Sequence, residues 1–309
     1  MRASEFVQTY ARQGLAKWEE AALAMIAHGE IAQPPFLDVP VSMPPTPASP
    51  GRAASPGHEG VFHAAGDYLA IGEPGDYMRM PLTPRRAQQA ADQFSVLLPT
   101  SKMVDAIWRA APLKLAVDGQ APNRGADLAQ YLAHSRKVDA ALATTGALDA
   151  AGVPTRPAAG GMKDIVVATM VPGYAGPRPI RPGKVIIYGW HGPDGRRVQG
   201  KSDVHGDFYV DYSHGARLVA PNMTVDGRDM LVADVLQHPV LWQLLSDEGP
   251  IAPSAKRRAA GLTTPGYDPL PVAKGPLFAS FAALAPFDGG RYARGLDLWT
   301  DQLFGRRLA

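Results

Sequence analysis

The sequence predicts an α+β fold, with N-terminal helices and a mainly antiparallel sheet in the second half of the chain. Three observations carry this. Apolar residues recur at helical spacing up to about residue 143, strand-like runs concentrate after it, and the two never alternate as regular βαβ units would require. The 309 residues are 46% hydrophobic and 19% charged, ordinary globular values that give enough apolar chain for a core. Composition divides the chain into an N-terminal helix over 1–38, a Pro-rich linker or loop over 39–60, and a single α+β domain over 61–309.

Taken in order, residues 4–28 read as one amphipathic helix. Ser4 stands as N-cap, Phe6, Tyr10, Trp18, Met25 and Ile26 recur at helical spacing, and Gly29 falls where a helix ends. Between 39 and 60 six prolines are interleaved with Ser and Gly, the composition of a linker. Short strand-like runs follow at 61–64, 68–71 and 77–80. Pro84 opens a helix to about Phe94. Thr100 caps another, in which Met103, Val104, Ile107 and Trp108 form an apolar stripe, with Asp105 and Arg109 paired four apart on its far face. A third runs from about 126 to 143. Strands are expected at 164–170, 184–188, 208–210 and 217–219, helix at 229–245 with a break at Pro239, and a short helix at 292–308.

Composition also excludes function classes. Lys plus Arg is 31 and Asp plus Glu 29, and a net charge of +2 is far from the basic field of a general nucleic-acid binder. There is no cysteine, so disulfides, thiolate nucleophiles, Cys-ligated zinc and iron–sulfur clusters are out. No apolar run is long enough for a membrane span, and the first residues lack an apolar signal-peptide region, so a soluble chain is expected. The missing cysteine is compatible with export.

Chemistry concentrates at 188–219. Three of the eight histidines, His191, His205 and His214, fall there, pinned between glycines at strand ends. In a straight strand His205 and Asp211 would stand ~20 Å apart, so they meet only if the chain doubles back at Gly206-Asp207. Asp211 and His214, three apart across a turn, can meet without that. Three readings follow. His205, Asp211 and His214, with His191 as fourth ligand or base, could hold a zinc that activates water. A histidine oriented by Asp211 or Asp203 could act as general base with Tyr212 or Tyr209 as acid. Ser213 could be a nucleophile activated by a neighbouring histidine. Against these stands a hydrogen-bonded turn built from Asp211, Tyr212 and His214 with no catalytic role.

The strings Asp67-Tyr68-Leu69-Ala70-Ile71-Gly72, Leu98-Pro99-Thr100-Ser101-Lys102-Met103-Val104-Asp105-Ala106-Ile107-Trp108, Tyr188-Gly189-Trp190-His191 and Asp211-Tyr212-Ser213-His214-Gly215 resemble a family of bacterial hypothetical proteins. That resemblance spans roughly 61–251 and implies no activity. Ser202, His205 and Asp211 also resemble the short motif of zinc D-Ala-D-Ala peptidases, with each spacing one residue off and no Glu-led second motif. The expectation is therefore a hydrolase, zinc-dependent or not, acting on an amide or glycan polymer such as peptidoglycan. In it His191, Tyr212 and Ser213 are the catalytic candidates, Trp190, Tyr209 and Arg217 the substrate-binding ones, and His205, Asp211 and His214 the metal ligands. A carbohydrate- or peptide-binding module without catalysis and a metal-free lyase or transferase are the alternatives.

Overall fold

A computed structural model describes residues 1–27, 31–32, 36–50, 54–93, 96–120 and 126–251. The expected helix at 292–308 lies outside them. Among the described residues the helices are α1 (Ala3–Tyr10), α2 (Leu15–Ala27), α3 (Pro84–Gln93), α4 (Ser101–Ala110), α5 (Leu128–Ala143) and α6 (Val232–Gln237). Together with mostly antiparallel sheets they make the α+β class that the sequence predicts. None is long and apolar enough to cross a membrane.

The single N-terminal helix is in fact two. The chain breaks at Gly14, which takes a φ of +80° that glycine alone adopts freely. Ser4 lies inside α1, where its hydroxyl donates to Asp76 instead of capping. The break lets Phe6 and Trp18 both reach the main core.

The expected linker is sheet at both of its ends. Phe36–Met43 pairs antiparallel with His58–Ala65 over all eight positions, so 39–43 and 58–60 are strand and not linker. Pro40 is tolerated because its strand is the edge of a four-stranded sheet, where a missing N–H breaks no inner ladder. The sheet continues through Val219–Val225 to Arg228–Leu231, so the two halves of the chain share it. Residues 229–231, expected as helix, belong to its outer strand Arg228–Leu231, and α6 begins only at Val232.

A second sheet carries the candidate site. Its order is Arg197–Gln199, Lys184–His191, Lys163–Val166 and His214–Gly215, with His205–Gly206 paired to the start of Lys184–His191. Residues 208–210, expected as a strand, are a turn and coil. α4 packs on the Lys184–His191 strand. Thr100 caps α4 as predicted: its hydroxyl accepts from Met103 N at 3.1 Å and donates to the Leu245 carbonyl, tying the helix start to the end of the described chain.

Candidate functional site

The turn at Gly206-Asp207 that the histidine cluster needs is present. Tyr209 N donates to Gly206 O at 3.1 Å, and His214 N to Asp211 O at 3.1 Å, so residues 205–214 fold back on themselves. The rings of His205 and Tyr209 stack at 4.7 Å between centroids. His214 meets both edge-on, at 5.6 Å from His205 and 5.4 Å from Tyr209. Lys163 enters from the neighbouring strand, whose parallel pairing with His214–Gly215 fixes its position. Its ammonium is 3.7 Å from Asp211 and 5.5 Å from the centre of the Trp190 ring.

Asp211 is the hub. Its Oδ1 accepts from Ser213 N at 2.8 Å and Ser213 Oγ at 2.5 Å. Its Oδ2 accepts from Tyr209 Oη at 3.2 Å, with His214 Nε2 at 3.6 Å. Burial opposes its ionisation, but His214, Lys163 and the Ser213 hydrogen bonds outweigh that and hold the carboxyl below its usual range. His214 is fully buried, which pushes its pKa down against the pull of Asp211, and neither ring nitrogen has a hydrogen-bond partner. His205 is half-buried. Its pKa is also lowered, first by burial and then by Lys163. At neutral pH the cluster thus holds two neutral imidazoles and one carboxylate, with Lys163 beside them.

This donor set fits a metal poorly. Two imidazoles and a carboxylate do cluster here, yet both Asp211 oxygens already accept hydrogen bonds and Lys163 lies beside them. Among the described residues no three His, Asp or Glu side chains form a group able to hold a metal ion.

The other candidates are placed elsewhere. His191 turns to the opposite side, where Nε2 meets Asp105 Oδ1 at 2.9 Å and the ring stacks on Trp108 at 5.8 Å. Asp105, expected to pair with Arg109, instead accepts from Tyr188 Oη at 3.0 Å and lies 3.6 Å from Arg197. Ser213 is buried and gives its hydroxyl to Asp211, not to a histidine. The Tyr212 hydroxyl is engaged by the backbone of Gln120, donating at 2.8 Å and accepting at 2.6 Å, so it is not free to stabilise an intermediate. Trp190 is buried, with an unusual φ of +54°, against Tyr212 and His134.

Arg217 is a correction to the expected substrate contact. It is 1% exposed, donates to Ala65 O at 2.8 Å and Ala158 O at 3.0 Å, and lies over the Tyr68 ring. Asp203 is bound by Arg178 and Arg181. Ser202 reaches only Gln199, at 3.4 Å.

Two functional candidates escaped the sequence reading. Lys163 opens a strand with no motif around it, and pairing alone brings it to Asp211. Phe208, expected inside a strand, is an exposed ring under the Arg85 guanidinium at 4.0 Å. It lines a groove of about 600 Å³ with Leu15, Glu19, Thr83 and Arg86. Tyr209, its neighbour, is the one predicted substrate-binding residue that is exposed. No protein-family profile matches the sequence, and comparison with curated proteins and with solved structures gives no match either.

Proposed function

We propose that the chain is a hydrolase of amide bonds in a polymer such as the peptide part of peptidoglycan, acting through a metal-free acid–base centre at His205, Lys163 and Asp211. The observation that carries the reading is a neutral, half-exposed imidazole in the same side-chain cluster as a lysine held beside a carboxylate. His205 takes the proton of a water as its oxygen adds to the carbonyl carbon. Lys163 offset by Asp211 steadies the charge that develops on the carbonyl oxygen, and the His205 imidazolium then protonates the departing amine. Asp211 orients Lys163 and Tyr209. His214 stays neutral behind them.

An amide suits this centre better than a glycosidic bond. Glycoside hydrolysis ordinarily needs two carboxyl groups flanking the bond. Asp203 and Asp207 are tied to arginines, which leaves Asp211 as the carboxylate of the cluster. The Phe208 groove beside Tyr209 gives a polymer length on which to bind. A second reading, zinc hydrolysis, rests on the two unpartnered nitrogens of His214 alone, against the poor fit of the rest of the donor set.

The test is release of amines from peptidoglycan fragments and model peptides by wild type, His205→Asn and Lys163→Gln, each checked for folding by circular dichroism. The expected loss for either variant is about 10²–10⁴-fold, with activity unchanged by chelators. Inert wild type, or His205→Asn equal to wild type, overturns the proposal. Stoichiometric zinc that disappears in His214→Ala replaces it with the second reading.

A further inference from the structure

On the far side of the Lys163–Val166 strand from the candidate site lies a small interior cavity. Alternation along the strand sends Asp164 away from Lys163, towards Tyr68 and Arg217. The cavity leaves about 10 Å³ and is lined by Asp164, Arg217, Trp108, Trp190, Tyr68 and His191 among others.

Four of these residues each carry a buried polar atom with no hydrogen-bond partner: Asp164 Oδ1, Arg217 Nε, Trp108 Nε1 and Trp190 Nε1. Each such atom has given up its hydration with no protein partner in return. Arg217 Nε and Asp164 Oδ1 are 3.5 Å apart and do not satisfy each other. The four unmet atoms belong to residues that line one cavity, which gives them a common occupant to meet.

We propose that this cavity is a binding site for one water molecule, which donates to Asp164 Oδ1 and accepts from Arg217 Nε and an indole N–H. A volume of about 10 Å³ is at the lower end of what one water needs. The chemistry selects water over a halide. A halide would accept from the N–H groups but would leave the carboxylate oxygen unmet and face its charge. Only an occupant that both donates and accepts serves both kinds of atom.

The test is a crystal structure of the full chain grown from bromide-containing solution, at a resolution that shows ordered water. The expected result is a peak without anomalous signal, about 2.7–3.2 Å from Asp164 Oδ1 and from at least one of the three N–H groups. An empty cavity overturns the inference, and so does an anomalous bromide peak. In solution, the indole N–H protons of Trp108 or Trp190 should show cross-relaxation to a long-lived water; its absence from both speaks against the site. Neither readout depends on activity, so failure of the hydrolase reading leaves this inference standing.

Discussion

Three carboxylates and a set of histidines show how neighbours decide what a titratable side chain can do. Asp203 is fully engaged by two arginines, Asp105 by His191, Tyr188 and Arg197, and Asp211 by Ser213, Tyr209 and Lys163. Of the three, the last is linked to a half-exposed imidazole, through Tyr209, which stacks on His205. His134, packed edge-on against Tyr212 at 5.0 Å and Trp190 at 6.1 Å, belongs to the same region. Burial, with Arg79 adding to it, brings its pKa down to about 4. In the unfolded chain it returns to about 6.5. The native state therefore resists protonation: the contribution to stability is complete above about pH 6.5 and is lost as pH falls through about 4. His134→Phe keeps an aromatic ring and removes the titration. Thermal unfolding across that window should show a shallower acid decline for the variant than for wild type, and equal slopes would refute the assignment. At this scale the sequence exposed His205, Asp211 and His214, because a tight turn and three-residue spacing constrain where they can go. It did not expose Lys163, whose role comes from cross-strand pairing. Arg217 and Trp190 misled because residue type does not reveal which side of a chain faces inward.

Among the elements, the short strand His214–Gly215 is the one that sets the site, since it hydrogen-bonds beside Lys163. Gly215 is required there by close approach: a Cβ would come within 2.2 Å of the Tyr68 ring. That ring cannot yield, because its hydroxyl, 2.8 Å from Met162 O and 2.9 Å from Asp164 Oδ2, shares its one proton between them while Arg217 covers its face. Gly215→Ala should therefore destabilise the protein by roughly 1–3 kcal/mol, read as a lower urea midpoint. An unchanged midpoint would mean that the strand can shift. Elements with clean periodicity and capping, such as α3, α4 and α5, were legible. Those whose pattern is broken were not. Val219–Val225 was recognised only at its start because Pro221 interrupts it. Pro221 falls between Val219 and Met223, where the pairing with His58–Ala65 shifts register, and an irregularity of that kind accommodates proline. Pro40 concealed the edge strand Phe36–Met43 in the same way.

For the molecule as a whole, the question is how a chain with few charges places some of them inside. Arg79 is 1% exposed and spans two regions of the fold. Its Nη2 and Nε hold Asp67 Oδ2, at 2.5 Å and 2.8 Å, and its Nη1 reaches Asp139 on α5 at 2.8 Å and the Ser135 carbonyl at 3.2 Å. Tyr77 donates to the same Asp139 at 2.6 Å. The network thus fastens the Asp76–Arg79 strand to α5, the helix that carries His134 and Tyr131 towards the site. Its desolvation cost is met only while every member is present. Arg79→Met strands the buried carboxylate of Asp67 and should cost about 3–5 kcal/mol. The double change Arg79→Met with Asp67→Leu removes both charges and should recover part of that loss, because an apolar pair of similar volume can replace a buried ion pair at little net cost. Chemical denaturation of the two singles and the double closes the cycle. A double variant less stable than either single would show that Arg79 acts by holding Asp139 and Ser135, not by neutralising Asp67. The fastening of strand to helix, which runs through those two contacts, would then be the larger part of what the arginine contributes.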